Sequence, residues 1–217
     1  MHIPDGFLDP WVAGLFWLGS GAAVGVAIKR ARDELGDERT PLLGVVAAGI
    51  FAAQMLNWPI PGGTSAHFVG GAFAGILLGP SLGVLAMTAV VAIQALVFGD
   101  GGIIALGANL FAMAVVDVLV GYALFRACRN VHESGAAFLA GWGAVTLSAF
   151  VVGVGVGASS AFAYELGTTV TIMVVGHALL GVVEGAITAA VYGYVADARP
   201  DLVLGRRDDE HASGVGL

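Results

Sequence analysis

Apolar residues run along this chain in blocks of membrane-spanning length, separated by short polar stretches. The blocks cover about Pro10 to Ile28, Pro41 to Trp58, Leu82 to Phe98, Ala105 to Phe125, Ala136 to Ala158 and Thr168 to Ala196. Unbroken hydropathy on that scale predicts transmembrane helices, since about 20 residues of helix cross a hydrocarbon core of roughly 30 Å. A seventh block, His67 to Leu78, covers only about 18 Å as a helix. It is expected to start earlier, to thin the bilayer, or to form half of a re-entrant hairpin with the block that follows.

The polar stretches orient the blocks. With the N-terminus outside and seven crossings, the inner segments are Lys29 to Thr40, the Gly79-Pro80-Ser81 turn, Arg126 to Gly135 and everything after Ala196. All nine basic residues of the chain fall there. The outer segments carry Asp5, Asp9, Asp100 and Glu165 and no base, as the positive-inside bias requires. The expectation is therefore an all-α integral membrane protein, a seven-helix bundle with the C-terminus in the cytoplasm. Residues 1–198 are read as one transmembrane domain and 199–217 as a disordered polar tail.

Composition agrees. The chain is 58% hydrophobic and 12% charged, far from the quarter charged of an ordinary soluble domain. Its 34 glycines lie within apolar runs, where small residues let helices approach closely. Gly21 and Gly25, and Gly71, Gly75 and Gly79, recur every four residues; such faces serve either packing within the bundle or contact with a partner subunit. One cysteine, Cys128, excludes an internal disulfide and a thiolate metal cage. Nothing points to nucleic acid, and the single lysine, Lys29, stands outside any G-x-x-x-x-G-K loop, so ATP-driven work would need another chain.

Polar groups in apolar helices are costly and are functional candidates by default. Here they are His67, Gln94, Asn109, Asp117, His177 and Glu184, with His2 and Asp100 near the outer face; His132 and His211 lie in cytoplasmic polar stretches and are read as solvated. His2 carries the most information. The terminal amine of Met1, the deprotonated amide of His2 and its imidazole Nδ1 can chelate one divalent ion through fused five- and six-membered rings. A fourth nitrogen completes the square plane that Ni(II) and Cu(II) prefer and Co(II) accepts. The loop Pro59 to His67 returns an imidazole to the same side of the membrane. Gln94, Asn109 and Glu184 can alternatively bridge helices through hydrogen bonds worth about 1 kcal/mol. His177 and Glu184, two turns apart on one face, could form a polar track or orient the metal loop. Thr64 and Ser65 could hydrogen-bond the outer ring nitrogen or the backbone around His67, and Asp100 could attract cations.

Four blocks carry a family resemblance: MHIPDGFLDP at the start, PGGTSAHFVGGAFAGILLGP around His67, GDGGIIALGANLFAMAVVD from Gly99 to Asp117, and HALLGVVEGAIT from His177 to Thr188. Together they resemble the cobalt and nickel substrate-binding subunit of energy-coupling factor (ECF) transporters, the CbiM/NikM family, over most of the chain. The resemblance implies that Met1, His2 and His67 bind Ni(II) or Co(II) as transported ligand, with no resident cofactor and no enzymatic activity of the chain itself. It implies an external N-terminus inserted into the bundle, in the cell membrane of a prokaryote. It also implies a membrane coupling protein (the T-component), two cytoplasmic ATPase subunits and, since no fused helix pair follows, a separate small auxiliary membrane subunit if one is needed. The chain departs from the family pattern at Asp100, often His, and at Asp117-Val118, often Gly-Pro. The competing expectation is a stand-alone secondary transporter or channel that passes cations along Asp117, His177 and Glu184; a membrane-embedded metalloenzyme ranks last.

Overall fold

The computed structural model describes residues 1–36 and 39–203. Its helices are α1 (Pro10–Glu34), α2 (Arg39–Gln54), α3 (Gly71–Leu78), α4 (Pro80–Val97), α5 (Leu106–Cys128), α6 (Glu133–Gly157) and α7 (Leu166–Ala198). Among the described residues five of these, α1, α4, α5, α6 and α7, are long and apolar enough to cross a membrane. Large apolar side chains such as Leu18, Leu96 and Leu179 point outward from them, as expected where the surrounding solvent is hydrocarbon.

Close packing depends on missing side chains. Along α6 and α7, a Cβ on Gly185 would lie 2.6 Å from the carbonyl of Phe138. At the contact of α5 with α3, a Cβ on Gly121 would lie 2.5 Å from Ala72 Cα. Gly71 and Gly75 are likewise buried against α5, whereas Gly21 and Gly25 of α1 meet nothing within 4 Å. The two four-residue glycine repeats thus differ: one packs inside the subunit and the other faces outward.

Two local features depart from the sequence expectation. The second apolar block ends as helix at Gln54, not at Trp58, because Asn57–Pro59 (β1) pairs antiparallel with Ser65–His67 (β2), Asn57 opposite His67. The short block starts as helix only at Gly71, after Gly70 at φ +78°, and ends at Gly79, φ +82°, where Pro80 opens α4. Eight residues of α3 make about 12 Å of helix, less than half a hydrocarbon core. Its N-terminus therefore opens inside the protein, where its first amides need partners.

His132, expected to be solvated, is exposed but caps α6, its Nδ1 accepting from Gly135 N–H at 2.9 Å. At the chain's end Pro200–Leu202 forms a 3-10 turn and Val203 is buried; the rest of the expected tail, with His211, lies outside the described residues.

Candidate metal centre

The N-terminal segment is irregular, yet Met1 and Ile3 are fully buried and His2 nearly so. Three sets of hydrogen bonds hold it there. Asn109, from α5, grips Ile3 on both sides: its Oδ1 accepts from Ile3 N–H at 2.8 Å and its Nδ2 donates to Ile3 C=O at 3.1 Å. Asp5 accepts from the amides of Ile103, Ile104 and Ala105 at the entry to α5. Asp9 accepts from the amides of Ser160 and Ala161 and from the Ser160 hydroxyl before α7, and those bonds hold its carboxyl below the usual range. The GDGG loop allows this closeness: a Cβ on Gly102 would lie 2.1 Å from Asp5 Oδ1, and Gly101, at φ +98°, would place one 2.9 Å from Asn109 Nδ2.

So held, the first two residues meet β2. The Met1 amine and the His2 amide both donate to Ser65 Oγ, at 3.1 and 3.2 Å, so the two main-chain nitrogens are aimed at one point. The imidazoles of His2 and His67 stack with centroids 4.7 Å apart and planes 20° from parallel. With metal–nitrogen distances of about 2 Å, neighbouring nitrogens of a square plane lie about 2.8 Å apart, a spacing two such rings can reach. His67 Nδ1 lies 2.7 Å from the carbonyl of Phe68; because a carbonyl only accepts, that nitrogen carries the proton and Nε2 is the bare one. Both nitrogens of His2 and Nε2 of His67 are buried without a hydrogen-bond partner. Orphaned buried acceptors are rare enough that a cluster of them calls for an occupant, and a divalent cation fits this nitrogen set.

Burial also readies these groups. It lowers the Met1 amine from its ordinary 8.0 to about 4, against the opposing pull of Asp100 and Glu184. Burial, with the neighbouring terminal amine, brings His2 to about 3. His67 is pushed well below its usual range by burial, then by the terminal amine and His2. At neutral pH all three are uncharged with lone pairs free, the form a metal requires. Among the described residues no three His, Cys, Asp or Glu side chains form a metal-holding group; a candidate donor set appears only when main-chain nitrogens are counted.

The remaining candidates divide. Ser65 touches the centre, and Asp100 lies beside it, Oδ2 3.6 Å from His2 Nε2 and 3.0 Å from Asn57 Nδ2. The first distance is too long for a direct hydrogen bond. Burial raises the Asp100 carboxyl despite the terminal amine and Asn57. Thr64 faces Met173 Sδ at 3.9 Å rather than the ring of His67. Gln94 is buried with neither amide atom partnered, while its main-chain carbonyl accepts from Asp100 N–H. His177 bonds through Nδ1 to Met173 C=O within its own helix, at 2.9 Å.

The two membrane carboxylates sit at the start of α3. Glu184 accepts from Val69 N–H at 2.9 Å and Gly70 N–H at 2.8 Å, and Asp117 from Ala72 N–H at 2.9 Å. Ser148 Oγ lies between Asp117 Oδ2 and Ala112 C=O, at 3.2 and 3.0 Å. Gln54, which the sequence reading passed over, donates to Val69 C=O. As a lone amide in an apolar helix it carried the same signal as Gln94.

The family described as "Cobalt uptake substrate-specific transmembrane region", CbiM, matches residues 2–202. A putative metal transport protein of Haloquadratum walsbyi is 78% identical over 98% of both chains. A putative fused nickel transport protein of Archaeoglobus fulgidus is 59% identical over 94% of this chain and 68% of its own length. The crystal structure of a truncated transition metal transporter, 31% identical, superposes with a TM-score of 0.87 over 91% of this chain and 99% of that one.

Proposed function

The chain belongs to the CbiM family of integral membrane proteins, and from that premise we propose that it is the substrate-capture subunit of an ECF-type uptake transporter for Ni(II) or Co(II). The ion is cargo. It is held by the Met1 amine, the His2 amide after loss of its proton, His2 Nδ1 and His67 Nε2, in a plane of four nitrogens that favours Ni(II) and accepts Co(II). One observation carries the reading: nitrogens of Met1, His2 and His67 come together inside the protein, where the buried ring nitrogens of His2 and Nε2 of His67 have no protein partner.

The chain lies in the prokaryotic cell membrane with its N-terminus outside, so the centre faces the medium, and its C-terminus in the cytoplasm. The distribution of Arg and Lys supports that orientation. The chain contains no G-x-x-x-x-G-K loop, which supports two separate cytoplasmic ATPase subunits reached through a membrane T-component. The Archaeoglobus relative extends beyond the matched region by about a third of its length. A cation path through Asp117, His177 and Glu184 is disfavoured, because the oxygens of both carboxylates are engaged by backbone amides and a hydroxyl.

The test is calorimetric titration of Ni(II) and Co(II) into purified protein with its native terminus, beside a version carrying one extra N-terminal residue, His2→Ala and His67→Ala. Each change is expected to weaken binding by more than about a hundredfold, beyond the effect usual for residues that only support a ligand. Unchanged affinity in the extended version would refute the chelate.

A further inference from the structure

We propose that Glu184, deep in α7 and not itself a ligand, selects the metal-binding tautomer of His67 through a single peptide unit. The inference rests on His67 being a ligand, as argued above, and it concerns how that imidazole is prepared.

The unit is the peptide joining Phe68 to Val69. Its carbonyl oxygen accepts from His67 Nδ1–H at 2.7 Å, and its N–H donates to Glu184 Oε2 at 2.9 Å. Both groups belong to one resonant plane. A carboxylate drawing on the N–H shifts electron density onto the carbonyl, which then accepts more strongly. Polarisation runs from carboxylate to peptide to imidazole and ends at the bare Nε2. Metal-bound histidines commonly donate their second ring N–H to a carbonyl or carboxylate, which fixes the tautomer and raises ligand basicity. In this chain the carbonyl and the carboxylate act in series.

The peptide has little freedom to rotate away. Glu184 Oε1 also accepts from Gly70 N–H at 2.8 Å, and Gln54 donates to Val69 C=O. The adjoining peptide, Val69–Gly70, is thus clamped by buried groups from α2 and α7, and it restrains Phe68–Val69 through Val69. Asp117 serves as the internal control. It caps the same helix start, on Ala72 N–H, but shares no peptide with His67. A purely structural role in seating α3 belongs to both carboxylates; the tautomer effect belongs to Glu184 alone.

The experiment is nitrogen NMR of protein labelled with ¹⁵N-histidine in lipid nanodiscs, with the His67 signals assigned by their loss in His67→Gln. Metal-free wild type is expected to show His67 as the Nδ1–H tautomer. In Glu184→Gln, whose side-chain amide presents one acceptor where two were used, His67 is expected to populate the Nε2–H form. Ni(II) affinity is expected to drop by about 10–100-fold. Asp117→Asn is expected to retain the wild-type tautomer. The proposal is overturned if wild-type His67 is Nε2–H, a result that needs no variant to fold. It is also overturned if Glu184→Gln keeps both tautomer and affinity, or if Asp117→Asn disturbs the tautomer equally. Failure of the metal reading is separate: His67→Ala would then bind Ni(II) like wild type, whatever the spectra show.

Discussion

Two polar clusters lie inside this apolar protein on either side of one short stretch of chain, and they stand in opposite states of satisfaction. On one side of residue 68, the Met1 amine, His2 and His67 bring nitrogens together and leave ring acceptors unpaired. On the other, Glu184 and Asp117 meet the amides at the start of α3 at 2.8–2.9 Å. Leaving buried acceptors unmade costs about 1–3 kcal/mol each, and it is this contrast between a closed and an open cluster that supports the proposed metal site. Intramembrane carboxylates usually invite a reading as an ion path. Here their chemistry is that of helix caps, an acidic group at a positive helix end.

The sharpest way to break the comparison is to damage each cluster and read both fold and binding. One extra residue ahead of Met1 should abolish high-affinity Ni(II) or Co(II) binding while the thermal transition of the metal-free protein in detergent stays in place. Asp117→Ala should do the reverse. With Ala72 N–H and Ser148 left without their carboxylate, about 3 kcal/mol of stability should disappear, while the protein that remains folded binds within tenfold of wild type. If Asp117→Ala abolished metal binding with the fold intact, the inner cluster would be part of the ion's route and the division would fail.

A smaller effect tests how the terminus is brought in. Gly101→Ala sets a Cβ 2.9 Å from Asn109 Nδ2 on a backbone at φ +98°, a conformation side chains rarely adopt. The clasp on Ile3 should loosen and Ni(II) affinity should fall about tenfold, in the range seen when support for a ligand is lost. A control at Gly99, φ +68°, where a Cβ meets nothing within 4 Å, separates backbone strain from collision: Gly99→Asn should cost much less.

How much of this could be read from residues alone depended on how local the cause was. The long helices were legible because hydropathy over about 20 residues is a one-dimensional signal. The proposed chelate could be framed from the sequence because a terminal amine, the next amide and the next imidazole are covalent neighbours. The hairpin of Asn57–Pro59 with Ser65–His67 was not, since three-residue strands carry no periodicity of their own. Nor was the late start of α3: it depends on Glu184 and Asp117, 115 and 45 residues away from the amides they cap. Asp5 and Asp9 read only as outer-face acids because their partners, at 103–105 and 160–161, are just as distant.

Acid titration sharpens the contrast on a gentler scale. In the folded protein burial lowers the Met1 amine to about 4 and His2 to about 3, against 8.0 for a free amine and 6.5 for a free imidazole. Between pH 5 and 8 the folded centre therefore gives up one proton per ion bound, from the His2 amide, and log K should rise by about one per pH unit. An unfolded chain, whose amine and imidazoles must also deprotonate, should show a steeper slope. The sign for stability follows: these bases are buried neutral, so the folded state binds fewer protons than the unfolded one. The share of metal-free stability that comes from keeping the Met1 amine and His2 neutral should be fully present above pH 8 and decline as pH falls from 8 toward the folded values. A slope near two or three in the folded protein would mean that the donors are protonated at rest.

The smallest expected effect falls on Asp100, at the boundary of the open cluster. Its Oδ2 stands 3.6 Å from His2 Nε2, on the ring edge away from the proposed chelating Nδ1, with a quarter of its side chain exposed. At that distance and exposure it acts on a bound dication as a partly screened charge. Asp100→Asn should therefore weaken Ni(II) binding only about threefold, and the difference should shrink as salt is raised from 0.05 to 0.5 M. A loss as large as that of His2→Ala, insensitive to salt, would make Asp100 a ligand. The ion would then sit between carboxylate and imidazole, and a plane of four nitrogens could no longer describe the outer cluster.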